Sequence, residues 1–131
     1  MRRTPVGFLA VLVAASISGC VLISAAGVYN FRNETSQSVR VSWNELAKGD
    51  THTTGWIPPG RTVRLTTHRL LEADSVPPSQ CFETFRLEVD VSDDWEPIYE
   101  HSDSPEDFDA AWEREQSGYR RHTYTFVLTT P

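Results

Sequence analysis

The chain has 131 residues, 12 lysines and arginines against 18 aspartates and glutamates, a net charge of −6, and 39% hydrophobic residues. That length corresponds to one domain, large enough to bury a core without help from disulfides. The acidic balance excludes binding to bare nucleic acid or to an anionic lipid surface by charge alone.

The first element is a leader. Arg2 and Arg3 precede an apolar run from Val6 to Ile17, which ends in Ile17-Ser18-Gly19-Cys20. A short cationic segment, an apolar core and small residues before a cleavage point form a secretory signal. The arginines stay on the cytoplasmic side because charge is costly to move into hydrocarbon. The tetrapeptide resembles the lipobox of prokaryotic lipoproteins, in which a leucine-like residue and two small residues precede an obligatory cysteine. The resemblance covers the leader alone. It implies that residues 1–19 are a signal peptide and that Cys20 becomes the lipid-modified first residue of the mature chain. It further implies that acyl chains of the palmitate type hold the exported protein on the cell membrane or envelope. Each buried methylene contributes roughly 0.8 kcal/mol to such an anchor. Residues 20–27 then form a short membrane-proximal tether, and residues 28–131 a single folded domain. Val21-Leu22-Ile23 prolongs the apolar run, so two other readings stay open. One is an ordinary signal peptide cleaved after Ser24-Ala25-Ala26, and the other an uncleaved span from Val6 to Val28 across a hydrocarbon core of about 30 Å.

Beyond the leader the dominant signal is a period of two, which marks strands with one buried face. Val28 to Phe31 is the first, followed by the polar turn Asn33-Glu34-Thr35-Ser36. Val39, Val41 and Trp43 alternate with Arg40 and Ser42. After Trp56-Ile57 and the breaker Pro58-Pro59-Gly60, Val63 and Leu65 alternate with Arg64 and Thr66. Past Val76-Pro77-Pro78-Ser79, Phe85, Leu87, Val89 and Val91 alternate with Arg86, Glu88 and Asp90, and Ile98-Tyr99 opens a further strand. Then the pattern changes. Ser104 can cap, Pro105 suits the first helical position, and Glu106 and Asp107 favour the positive end of a helix dipole. Phe108 and Trp112 share a face, and Gly118 is a natural stop, so the spacing predicts a helix from Pro105 to about Ser117. Tyr124, Phe126 and Leu128 form the last strand. The fold class is mainly β: a small antiparallel β-sandwich of immunoglobulin-like or transthyretin-like architecture, with one short helix near 105–117.

The candidate chemistry is sparse. From Glu88 to Asp109 the chain carries ten acidic residues and no lysine or arginine. Asp90, Asp93, Asp94, Trp95 and Glu96 are the candidate partner or cation surface, because loop carboxylates can ligate hard cations or attract a basic partner. The calcium-loop spacing and its glycine are missing. His52, His68, His101 and His122 show no paired spacing, and Cys81 reads as a buried small hydrophobe, with an intermolecular disulfide or reactive thiol as the other options. No catalytic residue, metal ligand or cofactor is assigned. Trp43 and Trp112 fall on core positions, whereas Trp56 and Trp95 are the surface aromatics. Asn33-Glu34-Thr35 has the form of a glycosylation acceptor.

These features describe a membrane-tethered envelope lipoprotein, non-enzymatic, acting as an interaction or accessory module. It meets the membrane through lipidated Cys20 and meets an envelope protein partner, not nucleic acid. The alternative is an exported domain binding a cation or small ligand through the acidic 88–109 segment. The leader reading has a direct test in the intact mass of the protein from a membrane fraction. A chain starting at Cys20 with added acyl mass is expected, and Cys20→Ala should abolish both. A chain starting near Gly27 without lipid would overturn it.

Overall fold

The computed structural model describes residues 24–71, 73–91 and 94–129. The period-two segments become eight strands: β1 Ser24–Asn33, β2 Val39–Glu45, β3 Thr51–Thr53, β4 Thr62–Leu71, β5 Phe82–Val89, β6 Trp95–Glu100, β7 Trp112–Gly118 and β8 Arg121–Leu128. One helix, α1 Pro105–Ala110, lies between β6 and β7, and a 3₁₀ turn at Pro78–Gln80 precedes β5. Two four-stranded sheets result, with orders β4-β1-β8-β7 and β3-β2-β5-β6. Every neighbouring pair is antiparallel except β1 and β8, which run parallel. The sandwich inferred from sequence is therefore the observed architecture.

Alternation decides the inner faces. Tyr29 and Phe31 of β1, Val39, Val41 and Trp43 of β2, Phe85 and Leu87 of β5, and Tyr124 and Phe126 of β8 all point inward. Phe82 sits at the centre, stacked on Trp112 at 5.5 Å and edge-on to Tyr29 and Phe85, each at 5.4 Å. Such ring pairs contribute about 0.5–1.5 kcal/mol each beyond their area burial.

Three expectations change in the structure. The helix is shorter than the predicted 105–117, because only its first turns have the chemistry. Ser104 Oγ accepts from the Asp107 amide at 3.4 Å and Pro105 opens the helix as expected. Beyond Ala110, Glu113-Arg114-Glu115-Gln116 has no apolar residue to bury, and the backbone pairs with β8 instead, placing Trp112 opposite Phe126. Phe108 and Trp112 still meet, 5.7 Å apart, one from a helix and one from a strand. The charges on β7 then blunt an exposed sheet edge. Val91 lies past the end of β5 and is 74% exposed.

The third change concerns the tether. Ser24 to Gly27 belong to β1, paired with Leu71 to His68, and Ala25 is fully buried. Cys20 and the rest of the leader lie outside the described residues. Among the described residues no helix is long and apolar enough to cross a membrane.

Where β1 ends, Asn33 ties three segments together. Its Nδ2 donates to the Gln37 and Ile57 carbonyls at 2.7 and 2.8 Å, and its Oδ1 accepts from the amide and hydroxyl of Thr35. A fully buried amide with these bonds is not an acceptor for glycan in the folded chain. Asn33→Ala strands buried donors and acceptors, so chemical denaturation should show a loss of about 2–4 kcal/mol. A loss below ~0.5 kcal/mol would show that water replaces the knot.

Candidate functional site

The outer face of the second sheet carries an ordered row of side chains. Arg40 on β2 lies opposite Glu88 on β5, and Glu88 lies opposite Trp95 on β6. An isolated bridge between Val39 and Ile57 brings Trp56 to the other side of Arg40. The Arg40 guanidinium is thus held between two indoles, 4.5 Å from the Trp56 ring centre and 5.2 Å from that of Trp95. Its Nη2 donates to Glu88 Oε1, and the Glu88 side chain is only 5% exposed. Arginine suits this role because a delocalised, weakly hydrated plane can stack on rings and bond a carboxylate at once. Trp56 remains 42% exposed and Trp95 half-buried, so the row presents indole surface on either side of the guanidinium.

Both surface tryptophans were therefore legible, but Arg40 and Glu88 were not singled out. In sequence they are ordinary outward-facing strand residues, and only cross-strand register brings them together. The local signal was a charged pair on alternating positions of two neighbouring strands.

The other residues assigned to this surface separate. Asp90, Asp94 and Glu96 are exposed, and Asp93 lies outside the described residues. Glu96 is opposite Leu87, so it projects from the face of β6 that Trp95 does not use. Much of the acidic run is occupied structurally: Asp109 accepts from the Ser79 amide and hydroxyl at 2.8 and 2.7 Å, Asp103 from the Glu100 amide, and Glu100 pairs with Arg86 at 3.2 Å. Among the described residues, Asp90, Asp94 and Glu96 do not converge as a ligand set.

A convergence does occur where none was assigned. Ligand atoms of Glu45, His68 and Cys81 all lie within 4.8 Å of one another, between the two sheets. Glu45 Oε2 accepts from the Thr66 hydroxyl at 3.0 Å, with His52 Nε2 at 3.7 Å, and Lys48 Nζ stands 3.8 Å from Oε1. Cys81 is fully buried, as its sequence reading holds. Burial first, and then the Glu45 charge, push its thiol far above the ordinary range. Burial thus disfavours the free thiolate, the nucleophilic form of a cysteine.

No protein-family model matches the chain, and no curated protein matches it.

The coupling across the Arg40–Glu88 pair is measurable. Arg40→Ala strands a buried carboxylate and should cost about 1–3 kcal/mol, of which the Arg40→Ala/Glu88→Ala double variant recovers part. Urea unfolding of the full cycle checks this, and strictly additive losses would show that the two residues do not support each other.

Proposed function

We propose that the chain is a lipoprotein of the cell envelope, anchored through acylated Cys20, and that its β-sandwich is a non-enzymatic module docking an envelope protein. The observation that carries the docking surface is the Arg40 guanidinium clamped between Trp56 and Trp95 on an open sheet face. Tryptophan and arginine dominate binding hot spots, and side chains already locked against one another lose little entropy when a partner arrives. Exposed Asp90 and Asp94 beside this face favour a partner with a basic rim, which raises encounter rates.

Placement supports the same reading. Trp56 sits next to Ile57, whose carbonyl receives the Asn33 side chain at the far end of β1 from Ser24. A ten-residue strand spans about 33 Å, so the Trp–Arg–Trp face points away from an anchor at Cys20. Only Val21 to Ile23 separate that cysteine from β1, a reach of roughly 10–15 Å at most. Cleavage after Ala26 would remove Ser24, Ala25 and Ala26 from the strand, the middle one fully buried, which favours processing at Cys20.

In vivo cross-linking of the full lipidated protein tests the surface. Trp56→Ala/Trp95→Ala should reduce partner adducts by roughly tenfold or more, with the melting temperature little changed. Adducts that persist in this variant and fall instead with Glu113→Ala/Glu115→Ala would move docking to the β7 edge.

A further inference from the structure

We propose that Cys81, His68 and Glu45 form a binding site for a divalent transition ion of the zinc class, at the membrane-proximal end of the sandwich. Thiolate, imidazole and carboxylate together are the donor types of zinc, whereas calcium and magnesium take oxygen alone. Zinc bonds of about 2.0–2.3 Å place neighbouring tetrahedral donors roughly 3.3–3.7 Å apart. The three ligand atoms, already within 4.8 Å of one another, need only small side-chain adjustments to reach that spacing.

The backbone that carries them is fixed. Glu45 lies opposite Phe82, the residue after Cys81, and the Leu46 amide donates to the Cys81 carbonyl at 2.9 Å. His68 comes from the other sheet, opposite Gly27 of β1. An added Cβ at Gly27 would lie 2.3 Å from the Tyr29 hydroxyl oxygen, so this glycine makes room for the Tyr29 ring. His68 and Lys48 also line a cleft of about 410 Å³, together with Arg69 and Arg121.

Glu45 is the observation that asks for a ligand. It continues the inward alternation of Val39, Val41 and Trp43, the position where an apolar residue belongs, and is 5% exposed. A buried carboxylate is costly unless closely paired. Among the described residues its hydrogen-bond partner is the Thr66 hydroxyl, while Lys48 and His52 stand at 3.8 and 3.7 Å, beyond the 2.7–2.9 Å of a charge-assisted hydrogen bond. Lys48 is largely exposed and free to swing out when a cation arrives. His52, flat against Trp43 at 5.4 Å, keeps its Nε2 3.7 Å from Glu45 Oε2. The sequence showed no metal motif because the donors come from three segments separated by β3 and the 3₁₀ turn.

Cobalt(II) titration of the full chain, purified from membranes in detergent and stripped with chelator, tests the site. One cobalt per chain should produce a thiolate-to-metal charge-transfer band and strong tetrahedral visible bands, both erased by zinc, and zinc should raise the melting temperature. Cys81→Ser should abolish the charge-transfer band, which assigns the sulfur whether or not Cys20 is acylated. His68→Ala, at a half-buried strand position, should weaken zinc on the order of 100-fold with an unchanged circular dichroism spectrum. If Cys81→Ser fails to fold, His68→Ala and Glu45→Gln carry the test. No charge-transfer band in the folded wild-type chain, or zinc affinity unmoved in His68→Ala, would overturn the site.

Discussion

Phe82 lies flat against Trp112, one at the start of β5 and the other at the start of β7, and so binds one sheet to the other. Around that pair the rings of Tyr29, Trp43, Phe85 and Phe108 meet Phe82 edge-on. Two facing sheets stand about 10 Å apart, and large rings from both sides fill such a gap without voids. The core therefore closes without a covalent bridge, leaving Cys81 free to serve something other than a disulfide. It also sets where polar groups can go. With the middle filled by aromatic rings, buried hydrogen-bonding side chains are pushed to the two ends of the sandwich.

Those ends are not equivalent. At one, Asn33 spends both halves of its amide on neighbours at hydrogen-bond distance, which is how a structural buried polar group behaves. At the other, among the described residues, Glu45 takes the Thr66 hydroxyl at hydrogen-bond distance while Lys48 and His52 stand at 3.8 and 3.7 Å. Evolution tolerates a buried charge where geometry repays it. The contrast within one small core separates a residue that holds the fold from one that waits for a ligand.

How far the sequence alone reaches follows from the same physics. Alternation is local, so the strands carrying Val39 to Trp43, Phe85 to Val89 and Tyr124 to Leu128 were legible, and with them the sandwich. β7 was not, because Glu113 to Gln116 carries no apolar alternation and becomes a strand only by pairing with β8. β3 was missed for a similar reason, its three residues being exposed. Trp56 and Trp95 could be named as surface rings from their neighbours in the chain. Arg40 between them could not, since the clamp depends on which strands lie side by side. Glu45 left one faint trace: a carboxylate where the period of two calls for an apolar residue.

The long first strand links the two candidate sites to the proposed anchor. β1 starts at Ser24, a few residues beyond Cys20, and ends at Asn33 beside the segment that carries Trp56. His68 faces Gly27 near the start of that strand, so the Cys81–His68–Glu45 cluster belongs to the end that a lipid anchor would hold close to the membrane. The Trp–Arg–Trp face belongs to the opposite end. An ion held there would tie the two sheets together, since His68 stands on β4 beside the strand that bears the tether, whereas Glu45 ends β2 and Cys81 leads into β5. The proposed metal and docking sites thereby lie at opposite ends of β1 and β2, and binding at either need not obstruct the other.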